Sequence, residues 1–354
     1  LEEVAMFEGF AHVWTPALLS RQLGSKPVPV TVAGEKVAFF RDAQGRARAL
    51  VDRCPHRGVA LSLGKVSADG CLECPFHGWR FDGAGACTHV PLNPDAKRER
   101  LFATPLPVHE EGGLVWLHTA PGEEAPAPPL VPELLREARG VTRHGIVKPW
   151  ATHWTRAMEN MLDSPHLPFV HRRTIGIGMR KALRPDSRLD MHLEDTPHGW
   201  RLTWKLDDVR RNGGSLSFVG PNAMVLDIPL LPGKRWRMHA WCVPAEAGRT
   251  RMVVVGARDF LTWLPRLLEQ GNRRILLEDQ AVVESSQPPE VPPPSEEVSV
   301  ATDRPTLRFR RYYYETLKGS RAEPLAPRRP RPVAAAGTAV AGTAVAGTAA
   351  TGAA

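Results

Sequence analysis

Short runs of β-branched and aromatic residues alternate with turn-forming residues over the first third of the chain. PVPVTVAG, EKVAFFRD and RARALVD make residues 28–51 read as strands, separated by Gly34-Glu35 and by Asp42–Gly45. The same texture runs to about residue 119, where HEEGGLVWLHT predicts a closing hairpin strand. PGEEAPAPPLVP (121–132) then places five prolines in twelve residues, which marks a domain boundary or a crossing segment. Beyond it the pattern predicts a helix over 156–164, strands alternating with polar turns through 189–258, and a long helix over 261–286. QPPEVPPP (287–294) stops that helix, because proline cannot continue it.

Within 271–286, Ile275, Leu276, Val282 and Val283 form the apolar stripe. At about 100° per residue, Asp279 falls at the centre of that stripe and Glu278 at its edge. A carboxylate on a buried face must meet a cation, a hydrogen-bonding network or a metal.

The chain has 354 residues, 42% hydrophobic and 24% charged, as in an ordinary globular protein of about two domains. Its 34 prolines are nearly a tenth of the chain, against a usual ~5%, so long helices cannot dominate. Lys and Arg number 46 and Asp and Glu 38, a formal net charge of +8. Residues 1–125 carry 13 positive and 15 negative groups, 126–320 carry 29 and 22, and 321–354 carry 4 and 1. With no zinc-finger, basic-zipper or aromatic RNA-binding signature, this is an asymmetry between domains and no nucleic-acid partner is expected.

Residues 1–20 lack a basic start and an apolar run, so nothing marks export, and a cytoplasmic location is expected. The stretch 332–354 is uncharged and carries AGTAV, AGTAV and AGTAA in succession. Its length suits a membrane span, but Gly, Thr and Ala give little transfer energy, so a disordered tail is the expectation, with no membrane contact.

Five cysteines without an export signal point to metal ligation ahead of disulfides. Cys54-Pro-His56-Arg-Gly58 and Cys74-Pro-Phe-His77-Gly78 give C-x-H, seventeen intervening residues, then C-x-x-H. Tetrahedral zinc is one reading. Zinc fingers usually pair Cys with Cys and His with His, whereas each loop here supplies one of each. That mixture favours a two-iron, two-sulfide Rieske centre, with Cys54 and Cys74 on one iron and His56 and His77 on the other. Cys71-Leu-Glu-Cys74 imitates a CxxC pair but has no matching second pair. Cys71, Cys87 and Cys242 read as small buried residues.

Asn160-Met-Leu-Asp163-Ser-Pro-His166-Leu-Pro-Phe-Val-His171 is the second concentration of chemistry. A regular helix would splay His166 and His171 by about 140°, but Pro165 and Pro168 break it and let both rings face one point. Two histidines plus Asp279 would form the facial triad of non-haem Fe(II) oxygenases, with open positions left on the metal.

These motifs, in this order, resemble the Rieske non-haem iron oxygenases, the terminal components of aromatic ring-hydroxylating and O-demethylating systems. The resemblance covers most of residues 1–320. It implies an α+β chain: an antiparallel β-sandwich Rieske domain over 1–125, then a catalytic domain over 126–320 with a central antiparallel sheet flanked by helices. It further implies a [2Fe-2S] cluster, a mononuclear Fe(II), O2 as co-substrate and a small cyclic or aromatic organic substrate, with monooxygenation favoured over ring dioxygenation. Electrons would come from NAD(P)H through a separate reductase or ferredoxin, consistent with the lack of a G-x-G-x-x-G after a strand. A homotrimer follows from the same resemblance, with Asp163 bridging His77 of one subunit to His166 of the next and Asn160 near the iron. Many relatives have Asn-Trp where this chain has His153-Trp154, read as a change behind the ligands. The competing expectations are a Rieske electron carrier without oxygenase activity and a zinc-stabilised interaction module. In the loop expected after His171, RRTIGIGMRK, residues Arg172, Arg173, Arg180 and Lys181 read equally as anion-binding groups or a solvated face.

Overall fold

The computed structural model describes residues 6–318 except 123, 126, 138, 208–213, 228–231 and 265–268. The 321–354 segment, expected to be disordered, lies outside the described residues.

Three small antiparallel sheets build the N-terminal part. One joins Val28–Val32, Glu35–Arg41, Ala47–Val51 and Pro105–Leu106; a second joins Lys65–Val66, Leu72–Glu73, Arg80–Phe81 and Cys87–His89. The third pairs Trp14–Leu19 and Val108–Glu111 with Leu114–His118. Side chains alternate across a strand, so Glu35–Arg41 serves two cores. Val37 and Phe39 join the main core, while Ala38 and Phe40 join a smaller one with Leu50, Cys54, Leu61, Leu72, Cys74 and Phe81. That second core lies beneath both Cys/His loops.

The C-terminal part is one seven-stranded antiparallel sheet in the order Thr142–Trp150, Thr250–Arg258, Trp236–Pro244, Ala223–Asp227, Ser215–Val219, Gly199–Leu206, Leu189–Thr196. Trp236–Pro244 and Thr250–Arg258 are buried on both faces. Next to the edge, strand Gly199–Leu206 buries Trp200, Leu202 and Trp204 and leaves Arg201 and Lys205 exposed. Helices Trp154–Met161, Glu269–Val283 and Arg304–Tyr312 supply residues to the same core. The three small N-terminal sheets plus this helix-flanked sheet are the α+β arrangement expected.

Three local expectations change. The helix expected over 261–286 is described as Glu269–Val283, and 261–264 instead form a turn whose Leu261 and Leu264 carbonyls, with that of Phe260, accept from the buried Arg258 guanidinium. Val282, expected in the apolar stripe, is 50% exposed, while Ile275, Leu276, Asp279 and Val283 are buried. RRTIGIGMRK (172–181), expected as a loop, overlaps the helix Ile177–Ala182.

Candidate metal centres

The two Cys/His loops share one backbone plan. Cys54 N–H donates to the Val59 carbonyl at 2.8 Å and Gly58 N–H to the Cys54 carbonyl at 2.8 Å. The second loop repeats this with Cys74 to Trp79 at 2.8 Å and Gly78 to Cys74 at 3.0 Å. Gly58 and Gly78 close these turns at φ of 72° and 70°, a region that side chains disfavour. Both cysteines are 2% exposed in the smaller core, whereas His56 is half-buried and His77 exposed. The rings of His56 and His77 lie 4.7 Å apart, and His56 stacks on Trp79 at 4.4 Å. Burial pushes the Cys54 thiol up to about 11, with Cys74 beside it. Paired thiols facing inward and paired imidazoles facing outward fit a binuclear cluster with chemically different ends.

Helix Trp154–Met161 leads to the second set. His153 caps it, accepting from Thr155 N–H, with Nδ1 2.7 Å from Thr155 Oγ1. His153 therefore does the local work that an Asn would do equally well at an N-cap. The chain then turns through Asn160–Ser164, and the short helix Leu167–Val170 carries His166 and His171 to one side. Helix Glu269–Val283 brings Asp279, 3% exposed, opposite them. One ligand atom from each of His166, His171 and Asp279 lies within 4.8 Å of the others.

Both Nε2 atoms approach the same oxygen: Asp279 Oδ1 is 3.5 Å from His166 and 3.0 Å from His171. Asp279 Oδ1 is buried without a hydrogen-bond partner. Burial pushes His166 down to about 4, which keeps its imidazole neutral, the form that binds metal. This donor set suits a divalent cation with nitrogen and oxygen ligands.

Behind the rings stand two more carboxylates. Asp163 Oδ1 is 3.9 Å from His166 Nδ1, and burial pushes the Asp163 carboxyl up to about 7. Glu278, which the stripe placed at its edge, accepts from His171 and from Thr174. Periodicity located Glu278 but could not show that its side chain turns back to the ring.

Beside the three ligating groups is a cavity of about 30 Å³. Trp204, Leu216, Met224, Leu226, Met238 and Ile275 form its apolar wall, and Asn160 and Ser164 supply polar groups. Arg172, Arg173, Arg180 and Lys181 are exposed and do not line it, which favours the solvated-face reading for them. Cys71, Cys87 and Cys242 are buried, and burial pushes each thiol up.

Residues 13–106 match the Rieske [2Fe-2S] domain, and residues 150–318 match the vanillate O-demethylase oxygenase C-terminal domain. Chlorophyllide a oxygenase, chloroplastic, of Chlamydomonas reinhardtii is 32% identical over 302 residues, 79% of this chain and 44% of that protein. Methylxanthine N3-demethylase NdmB of Pseudomonas putida is 29% identical over 337 residues, 86% of this chain and 88% of that one. The chain spans 44% and 56% of the chloroplastic chlorophyllide and pheophorbide a oxygenases that it matches. Dicamba monooxygenase bound to dicamba shares the fold at a TM-score of 0.73 and 21% identity, covering 89% of this chain and 98% of that one. Both ligand sets fall inside the two matched domains, and the chain belongs to the Rieske non-haem iron oxygenases.

Proposed function

We propose that this chain is the terminal oxygenase of a multicomponent system, with the Rieske unit over 1–125 and the catalytic unit over 126–320. It takes electrons from NAD(P)H through a separate reductase or ferredoxin and uses O2 to hydroxylate or oxidatively demethylate a small cyclic or aromatic compound. The observation that carries this reading is the pairing, in one chain, of the Cys/His loops with the His166, His171 and Asp279 cluster. An electron carrier alone would leave the second cluster and its cavity without a role.

Cys54, His56, Cys74 and His77 would hold the [2Fe-2S] cluster, and His166, His171 and Asp279 the mononuclear Fe(II). When bound, the cluster supplies electrons singly and the Fe(II) supplies open positions for O2. The chain's own residues do the rest. Trp204, Leu216, Met224 and Met238 give the ligand face an apolar wall, and the cavity of about 30 Å³ beside it must widen to admit a ring. Asn160 and Ser164, whose Nδ2 and Oγ are buried without partners, offer donors to a polar group on the substrate.

The exposed ring of His77 and the partly exposed side chain of Asp163 suit contact between subunits. In a homotrimer, Asp163 would accept from His77 of the next subunit while facing His166 of its own. The tested consequence is substrate-dependent O2 uptake over a panel of small ring compounds with a surrogate reductase. Monooxygenation incorporates one oxygen atom of labelled O2 into product. Uptake that never depends on the compound, across the panel, contradicts the proposal. Among the described residues no helix is long and apolar enough to cross a membrane.

A further inference from the structure

The two imidazoles of the candidate iron site are held from behind in different ways. At His166, the Nδ1 to Asp163 Oδ1 distance of 3.9 Å is too long for a hydrogen bond, and both atoms are buried without partners. At His171, Nδ1 lies 3.0 Å from Glu278 Oε2. That same oxygen accepts from Thr174 Oγ1 at 2.7 Å, and Glu278 Oε1 accepts from Arg274 Nε at 3.1 Å. Both oxygens of Glu278 are therefore engaged. His171 is 1% exposed, so water cannot replace the contact.

A neutral imidazole carries one N–H. As a metal ligand through Nε2, His171 keeps that hydrogen on Nδ1 for Glu278, and Nε2 faces Asp279 Oδ1 from 3.0 Å. A cation placed between Nε2 and Asp279 Oδ1 would be held by both atoms. Glu278 and Asp279 are consecutive on one helix, about 100° apart, so one reaches the back of the ring and the other its front. Arg274, one turn earlier on the same helix, steadies the Glu278 carboxylate.

We infer that Glu278 is a positioning residue of the mononuclear centre: it fixes the tautomer and the ring plane of His171 so that Nε2 faces the metal. This rests on the proposed assignment of His166, His171 and Asp279 as iron ligands. It divides the work of the two rear carboxylates. Glu278 holds one ligand rigidly within the chain, and Asp163 is left free to exchange partners.

The test uses the iron-loaded full-length protein and follows loss of Fe(II) to a ferrous chelator, with the cluster's visible spectrum and the melting temperature as controls. Glu278→Ala should lose the mononuclear iron more readily by about 10–100-fold. Glu278→Gln keeps an acceptor oxygen and should recover part of that loss, and Thr174→Val should show a smaller loss. The cluster spectrum should not change in any of them. Wild-type iron retention in Glu278→Ala, or in Glu278→Gln and Thr174→Val together where the Ala variant does not fold, overturns the inference. Complete loss in Glu278→Gln, equal to that of Asp279→Ala, also overturns it, because it makes Glu278 a ligand. A wild-type protein with no iron beyond the cluster defeats the underlying assignment itself, and is seen before any variant is made.

Discussion

His171 and Asp279 face each other with Nε2 3.0 Å from Oδ1, although one lies on a proline-broken turn and the other on a long helix. Asp279 Oδ1 has no hydrogen-bond partner, and an unpaired buried carboxylate is costly. Asp279→Ala should therefore release the mononuclear iron while leaving the cluster's absorption intact, read by metal analysis beside the visible spectrum. Full iron content and activity in that variant would show that another group completes the ligand set.

Cys54→Ser should remove the cluster's colour and its acid-labile sulfide, because a hydroxyl does not replace a thiolate on iron. Cys54 is 2% exposed and packs in the smaller core with Leu61 and Phe81, so the N-terminal unit should also melt earlier. His166, His171 and Asp279 belong to other elements, and the mononuclear iron should remain. Retained colour with zinc bound would point to a structural zinc site.

Asp163→Asn should keep both metal sites and slow electron delivery between them by orders of magnitude. The carboxylate touches no other described ligand than His166, so the metal content should not move. Single-turnover oxidation of the reduced cluster measures this, and a wild-type rate would remove Asp163 from the path.

Arg156 and Arg310 clamp Glu159 between them, at 2.9 and 2.6 Å, and both also bond Glu297. Glu159 sits on the helix that delivers Asn160 and Asp163. Removing one partner leaves two largely buried guanidinium groups short of a counter-charge, so Glu159→Ala should destabilise the protein by about 3 kcal/mol. Denaturant unfolding checks this, and a change within about 0.5 kcal/mol would mean that the cluster adds nothing.

The motifs made much of this legible from the chain alone. C-x-H and C-x-x-H name donor atoms directly, and the helical rotation that centred Asp279 holds, since Ile275, Leu276 and Val283 are buried around it. Val282 escaped the same rule because the helix is covered on a narrower face than its apolar residues span. The turn at 261–264 was hidden because the Arg258 guanidinium organises it through backbone carbonyls that no periodicity reports. Glu278 was hidden for a related reason. A half-buried edge position looks the same in sequence whether its side chain meets water or the back of a ligand.

Iron and acid-labile sulfide counted together, in wild type and in Asp279→Ala, test the central claim most directly. The account predicts about three irons and two sulfides per chain in wild type, falling to about two irons and two sulfides in the variant. Two irons in both proteins, or zinc without sulfide, would contradict it.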